Sequence, residues 1–362
     1  FLTNGFQVVS TDNFLNGSGD TMLYWAIAAD PSTAATPTVT KSFDVVTYEG
    51  NGGTQDIESD ISPDFVWVKR TSSAEDHVLF DTVRGVQNQI RSNENGQEST
   101  KTNALSSFNY KGFTTGANNA LNTNAQDYVA YLWSAGSHEG NLPTINTEGT
   151  ISSTTSTNDA AGFSIVKYRG NSTSGATVGH GLSAKPELIF IKNLDDSTGW
   201  IAYDTNINSV GYLNLTDAFD TSRLSWGFNS TVPSSTVVTL GYNGQAAVNE
   251  NGDAYIMYCF RSISSYSKIG SYTMSSSSAV TVDVGFAPRF VLLKEIDRAA
   301  SWIIVDSQRK LSGNYVARLY ADDDIQQSSG QQIQISGNTF TINWGSTGNN
   351  DNGGTGIYLA IA

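Results

Sequence analysis

The sequence predicts an all-β protein made of tandem, jelly-roll-like β-sandwich domains in an elongated array. One pair of apolar segments recurs three times at a fixed spacing, which indicates a repeated domain. Only 15% of the residues are charged, and stretches rich in Ser, Thr, Asn and Gly separate the apolar segments, as turns do in β-proteins. No segment carries a convincing amphipathic helical pattern.

The recurring unit is an apolar strand between Pro and Lys, followed by a second apolar segment that ends at Asp. The Pro-to-Lys step is 6 residues and the Lys-to-Asp step is 12 in every copy. The copies are Pro63, Lys69 and Asp81; Pro186, Lys192, Trp200 and Asp204; and Pro288, Lys294, Trp302 and Asp306. Uninterrupted apolar runs favour strands buried on both faces, and Pro is tolerated where a strand begins.

We interpret each unit as a β-hairpin, which explains the repeated polar residues by structure rather than catalysis. Symmetric pairing about the loop sets Lys192 opposite Trp200 and Lys294 opposite Trp302, with His77 at the matching place in the first copy. A lysine over an indole ring would contribute roughly 0.5–1 kcal/mol. The Asp falls at the other end of the hairpin from the Lys, so the two are not expected to pair.

The repeats divide the chain into segments that differ in composition. Residues 1–30 resemble the C-terminal strands of a preceding repeat, so the chain is expected to be part of a longer one, and residues 31–41 are a linker by composition. The sandwich repeats are assigned to 42–136, 162–262 and 266–362, with a Ser/Thr-rich linker at 137–161. The short junction between the second and third repeats predicts rigid coupling.

Charge and residue usage exclude several classes of function. A net charge of −14 disfavours nucleic acid as a partner, because an acidic chain gains nothing from counterion release. No apolar run approaches the 18 residues of a membrane helix, so membrane insertion is not expected. The single cysteine, Cys259, lies in an apolar run and is interpreted as a core residue.

The repeat pattern resembles a repeat domain of marine bacteriophage tail and tail-fibre proteins. The resemblance rests on the Pro-to-Lys strand, on Phe108–Phe113, on the closing strand at Tyr128–Trp133, and on Asp-x-x-Arg at Asp81 and Asp306. Asp204 departs from that pattern, because Ile207 stands where the arginine is expected. The resemblance covers most of the chain outside the linkers and implies a tail protein of lectin-like modules, without an enzymatic activity or a defined ligand.

Candidate sites are few. His77, His138 and His180 lack a zinc-binding spacing, and no nucleophile elbow or phosphate loop is present, so no catalytic residues and no cofactor are assigned, although a pair of carboxylates could still act as in a glycosidase. Oxygen-rich loops at Asp253, Asp323 and Asp351 are weak calcium candidates, with ordinary turn chemistry as the alternative. Carbohydrate binding would need exposed rings, and the candidates are Trp226, Tyr242, Tyr320 and Trp344.

These observations favour a non-enzymatic structural protein of a phage tail fibre or tail appendage that contributes to attachment at the host surface. A carbohydrate-binding adhesin array on a bacterial surface is the alternative, and a secreted polysaccharide-degrading enzyme is a third. Because the domain is repeated, several weak contacts with a host glycan or receptor would together give firm attachment. We expect self-association, with a homotrimer favoured, and contacts with other virion proteins. Receptor contacts are expected on outward loops such as 249–253 and 348–354.

Overall fold

A computed structural model describes residues 42–136, 142–275, 278–343 and 353–362. The segments assigned to 1–30 and 31–41 lie outside the described residues. Within the described residues, antiparallel strands dominate and the helices are short, which confirms the all-β sandwich class. No helix of the described part has the length and apolarity needed to cross a membrane.

Repeat one (42–136) forms a main sheet covered on one face by a small sheet. Its elements are β1 (Phe43–Glu49), β2 (Gln55–Glu58), β3 (Phe65–Arg70), β4 (Val78–Asp81), β5 (Asn88–Arg91), β6 (Ser99–Thr100), β7 (Leu105–Asn109), β8 (Gly112–Thr115), helix α1 (Asn119–Asn122) and β9 (Asp127–Trp133). The main sheet has the order β1-β9-β3-β4-β5-β6, and the small sheet has the order β2-β8-β7. Together they form a two-layer sandwich.

Repeat two repeats this plan with an extended sheet. Its elements are β10 (Thr144–Asn146), β11 (Ser153–Asn158), β12 (Phe163–Arg169), β13 (Thr177–Gly179), β14 (Leu188–Asn193), β15 (Ile201–Asp204), β16 (Ser209–Tyr212), α2 (Arg223–Phe228), β17 (Val237–Thr239) and β18 (Ala254–Phe260). The order is β10-β11-β12-β18-β14-β15-β16, with a small sheet β13-β17. The linker prediction for 137–161 is therefore wrong over β10 and β11, where β-branched threonines favour strand structure.

Repeat three returns to the plan of repeat one. Its strands are β19 (Ser267–Thr273), β20 (Val280–Asp283), β21 (Phe290–Glu295), β22 (Ile303–Lys310), β23 (Val316–Tyr320), β24 (Ile333–Ser336), β25 (Thr339–Ile342) and β26 (Thr355–Ile361). The main sheet has the order β19-β26-β21-β22-β23, and the small sheet has the order β20-β25-β24. The predicted hairpin occupies the same place in all three sheets, because β3, β14 and β21 each lie between the closing strand and the second hairpin strand.

Each hairpin strand is buried on both faces, as its sequence predicts. In β3, Val66 and Val68 point into a core between the two sheets of repeat one, while Phe65 and Trp67 point to the opposite face. The same alternation holds in β14 and β21. Successive side chains of each strand therefore pack alternately into two different cores. Both sets must be apolar, which explains why the runs contain no polar residue before the lysine.

The second core is shared by all three repeats. Trp133 illustrates it, because its ring lies 5.1 Å from the Phe65 ring in its own repeat, 6.3 Å from Phe163 in repeat two and 5.6 Å from Phe290 in repeat three. The described residues fall in one compact unit. The repeats are therefore not strung out in an elongated array, because the outer apolar face of each main sheet is covered by the other two repeats.

Candidate functional site

The three hairpins share one geometry, which sets the positions of their polar residues. Val68 pairs with Val78, Ile191 with Ile201 and Leu293 with Ile303, which is the register predicted from symmetric pairing. At the other end, Asp81, Asp204 and Asp306 pair with the first residue of the preceding strand. The Lys and Asp of one repeat therefore lie at opposite ends of its hairpin, and in repeats one and three each meets a different neighbouring repeat.

The Asp of repeat one belongs to a buried network that reaches repeat two. Asp81 Oδ2 accepts hydrogen bonds from Arg84 Nε at 2.5 Å and from the Tyr258 hydroxyl at 2.7 Å. Burial alone would lower the pKa of Arg84, but Asp81, Tyr258 and Glu98 together raise it above its ordinary value. The guanidinium is therefore held in its charged form, and we name this arrangement the first junction.

An equivalent network joins repeat three to repeat one. Asp306 Oδ2 accepts from Arg309 Nε at 2.7 Å and from the Tyr131 hydroxyl at 2.8 Å, and Arg309 Nη2 lies 3.0 Å from that hydroxyl. Tyr131 occupies the same place on β9 as Tyr258 on β18, since they pair with Trp67 and Phe190 respectively. This closing junction brings together residues that are 175 positions apart in the chain.

The contact between repeats two and three, the apolar junction, lacks both partners of that network. Ile207 stands in place of the arginine, and Leu359 stands in place of the tyrosine, because Leu359 pairs with Leu292 as Tyr258 pairs with Phe190. Both side chains pack in or against the shared core. Asp204 is nevertheless retained and 1% exposed, and burial raises its pKa to about 6.

Asp204 remains because its other oxygen closes the turn after the hairpin. Asp204 Oδ1 accepts from the backbone N–H of Asn206 at 2.9 Å and of Ile207 at 3.2 Å. The corresponding oxygens of Asp81 and Asp306 accept from the backbone N–H of their own Arg at 2.8 and 2.9 Å. The carboxylate thus has two separate tasks, and only the link to the neighbouring repeat is missing at the apolar junction.

The hairpin tryptophans also link neighbouring repeats. Trp200 Nε1 donates to the Arg91 carbonyl of repeat one at 2.7 Å, and Trp302 Nε1 donates to the Tyr212 carbonyl of repeat two at 2.8 Å. His77 takes this place in repeat one, where its Nδ1 accepts from Trp67 Nε1 at 2.9 Å. Burial and Lys69 lower the pKa of His77 well below its ordinary value, so the ring is neutral.

The hairpin lysines are buried and bound by carbonyl groups. Lys69 Nζ donates to the Asp324 carbonyl of repeat three at 3.2 Å, and Lys294 Nζ donates to the Thr216 carbonyl of repeat two at 2.9 Å. Lys192 Nζ donates within its own repeat, to Asn193 and Asp196. Burial lowers the pKa of each of these lysines to about 8.

The predicted contact between lysine and indole is not formed. Among the described residues, the cation–ring contacts involve other side chains, namely Arg70, Lys111, Arg223 and Arg318. The physical reason is that a buried ammonium carries three N–H donors, which carbonyl oxygens satisfy and an indole ring does not. The hairpin polar groups therefore serve as connections inside the compact unit.

The loop residues considered for calcium have partners in the protein. Asp253 Oδ2 accepts from Asn193 Nδ2 at 2.8 Å, and Asp323 Oδ1 accepts from the Ile325 N–H at 3.3 Å. Asp351 lies outside the described residues. In the part of the chain that the structure describes, no group of three or more His, Cys, Asp or Glu side chains is placed to hold a metal ion.

The other candidate residues for ligand binding lie in different parts of the described fold, and His180 is fully buried. His180 lies in the turn before β14, with its Nδ1 accepting from the Leu182 N–H, and His138 lies outside the described residues. Trp226 and Tyr320 are half-buried against the cores of their own repeats, and Tyr242 donates to Glu250. Trp344 lies outside the described residues, and so does most of the loop 348–354. A strongly exposed ring that the sequence did not single out is Tyr110.

Three sandwich repeats closed around one core define this chain as a pseudo-threefold β-protein. Residues 38–362 match the model of a family described as a domain of unknown function, DUF7483. The chain belongs to that family, and one family model spans all three repeats. No curated protein matches the chain.

Proposed function

We propose that this chain is a non-enzymatic structural module of a phage tail, located in the virion and contributing to attachment at the host surface. Two lines of reasoning support the proposal. The repeat motif resembles that of marine phage tail proteins, and the polar residues that recur in it are used in contacts between repeats. Because contacts between repeats explain why the motif recurs, its recurrence does not have to be explained by a catalytic role.

The observation that carries the proposal is the closure of three repeats around the shared core. In a homotrimer three chains supply three equivalent faces around one axis. In this chain three repeats supply them, so one polypeptide provides a unit of the same symmetry. Such a unit suits coaxial attachment to trimeric virion partners.

Self-association remains part of the proposal, on a different physical basis. The apolar faces that were expected to meet other copies are covered within the chain. A homotrimer would therefore have to form through other surfaces, such as the rims of the sandwiches. Light scattering on residues 38–362 measures this directly: a trimer would support self-association through the rims, and a monomer would contradict it for this segment.

Immunogold labelling tests the location. Antibodies raised against residues 38–362 should label the tails of particles produced from the genome that encodes the chain. Labelling of the bacterial envelope without particles would instead support the adhesin alternative. Release of oligosaccharide from purified host polysaccharide by the protein would contradict the non-enzymatic assignment.

A further inference from the structure

The tip of the β7–β8 hairpin in repeat one is built differently from the matching tip in repeat three. Asn109 pairs with Gly112, so Tyr110 and Lys111 form the tip, and Lys111 has a φ of 59°. In repeat three Ser336 pairs with Thr339, the tip is Gly337 and Asn338, and the positive φ of 54° lies on Gly337, one position earlier than in repeat one. A left-handed lysine costs about 1–2 kcal/mol that glycine avoids, so local stability does not explain its presence.

The tip is held firmly although it is exposed. Lys111 N–H donates to Ser62 Oγ at 3.1 Å, and the Lys111 carbonyl accepts from the Ser59 N–H at 3.1 Å. Tyr110 is 80% exposed, and the Lys111 amino group lies 6.0 Å from its ring centre. The ring is therefore presented to solvent from a fixed backbone rather than packed against the protein.

A polar groove of about 520 Å³ lies beside this ring. Its lining includes the exposed carboxylates of Asp56, Glu58 and Asp60, the amide of Asn109 and one cation, Lys111. By strand register, Asp56 and Glu58 correspond to Thr281 and Asp283 in repeat three, and Asp60 follows at the position of Gly285. Repeat one thus combines an aromatic ring with three carboxylates where repeat three has one carboxylate and no ring.

We infer that this groove binds a neutral polysaccharide of the host surface, with a sugar ring packed on Tyr110. The C–H face of a pyranose matches an exposed aromatic face, and its hydroxyl groups can donate to the carboxylates, which accept stronger hydrogen bonds than neutral groups do. An anionic polysaccharide is disfavoured by the three carboxylates. A protein partner would need a larger apolar area than one tyrosine supplies.

The test uses residues 38–362 and three soluble probes: maltohexaose, chitohexaose and a polygalacturonate oligomer. Titrations are followed by NMR of tyrosine ring signals and by calorimetry. At least one neutral probe should bind and shift the Tyr110 signal. The substitution Tyr110→Ala should weaken that binding about tenfold, since stacking is lost, while Tyr110→Phe should stay within about threefold.

Matched changes separate the groove from a general effect of mutation. Asn338→Ala at the equivalent tip of repeat three should leave the affinity unchanged. Lys111→Gly should raise the unfolding temperature, because glycine adopts the left-handed conformation without the cost that lysine carries. The inference is overturned if no neutral probe binds, if Tyr110→Ala binds as well as the unchanged protein, or if polygalacturonate binds best.

This inference rests on the proposed function for the source of its ligand, and the two fail separately. If the tails are labelled but no sugar binds, the inference that the groove binds a polysaccharide fails and the proposed structural role stands. If a sugar binds but labelling is confined to the bacterial envelope, the inference about the groove stands and the protein is instead a cell-surface adhesin.

Discussion

The first junction and the apolar junction have the same backbone geometry but opposite chemistry. In the first, Asp81, Arg84 and Tyr258 form a buried charged network; in the apolar junction, Ile207 and Leu359 replace the two partners of Asp204. The replacements lie on different repeats, so neither is explained by its own neighbours in sequence. The comparison teaches that the two partner positions are both polar at one junction and both apolar at the other, while the turn-closing aspartate is present at both.

The largest expected effect comes from removing the arginine of the first junction. Arg84→Leu leaves Asp81 buried without its cation, which should destabilise the protein by about 3–5 kcal/mol. Denaturant unfolding measures the loss. Ile207→Val is the matched control at the apolar junction and should cost only about 0.5–1.5 kcal/mol. A loss for Arg84→Leu no larger than the control would show that the network contributes little.

The second prediction concerns the pH dependence of stability, which should differ between the junctions. The pKa of Asp204 is raised to about 6 in the folded state, so the native protein keeps this proton to a higher pH than the unfolded chain does. Stability from this group is present below about pH 4 and is lost as pH rises through 6. Asp204→Asn should therefore stabilise the protein by about 2 kcal/mol at pH 7 and have little effect at pH 4.

Thermal unfolding from pH 4 to pH 7 measures that difference. Asp306→Asn is the control, because it removes the charge that Arg309 needs and should destabilise the protein at pH 7. If Asp204→Asn destabilises the protein equally at pH 7, Asp204 has a charged partner and the comparison between junctions fails.

A designed exchange sharpens the comparison. Ile207→Arg and Leu359→Tyr together rebuild at the apolar junction the network of the first junction, while each substitution alone gives Asp204 only one of its two partners. A double-mutant cycle should show a favourable coupling of about 1–3 kcal/mol between the two positions. Additive effects would indicate that the side chains do not meet.

The smallest effect concerns the buried lysines. The pKa of Lys192 is lowered to about 8 from an ordinary value of 10.5, so between these values the unfolded chain binds the proton more tightly than the native protein. Stability from this group therefore rises as pH increases from 8 to 10. Lys192→Met should reduce that rise by an amount on the order of 1 kcal/mol. An unchanged slope in unfolding experiments at pH 8, 9 and 10 would contradict the role of burial.

Local features of the fold were predictable because they depend on neighbours in sequence. The apolar runs ending at Lys69, Lys192 and Lys294 gave the strands, and their equal spacing gave the hairpin register. The burial of both faces of these strands was also predictable, because their apolar residues do not alternate with polar ones. What covers that face could not be derived, since an elongated array and a closed one need the same apolar residues.

The junction networks left a weak signal in the sequence. The missing arginine at Ile207 was visible, but its counterpart is the missing tyrosine at Leu359, far along the chain in another repeat. Only the register of the closing strands relates those positions. The exposure of Tyr110 was not predicted either, because the sequence does not show whether a tyrosine at the tip of a hairpin packs against the protein or faces solvent.

The closing junction fixes the number of repeats. In solenoid proteins a repeat contacts only its neighbours, so copies can be gained or lost and folding can begin at any point. Here Tyr131 of the first repeat meets Asp306 of the last. During synthesis, the part of the outer apolar face of repeat one that contacts repeat three must remain uncovered until the final third of the chain has been made, which exposes the nascent protein to misassembly. Deletion or duplication of one repeat would leave two apolar faces without partners, so the chain is expected to evolve by substitution within three copies rather than by changing their count.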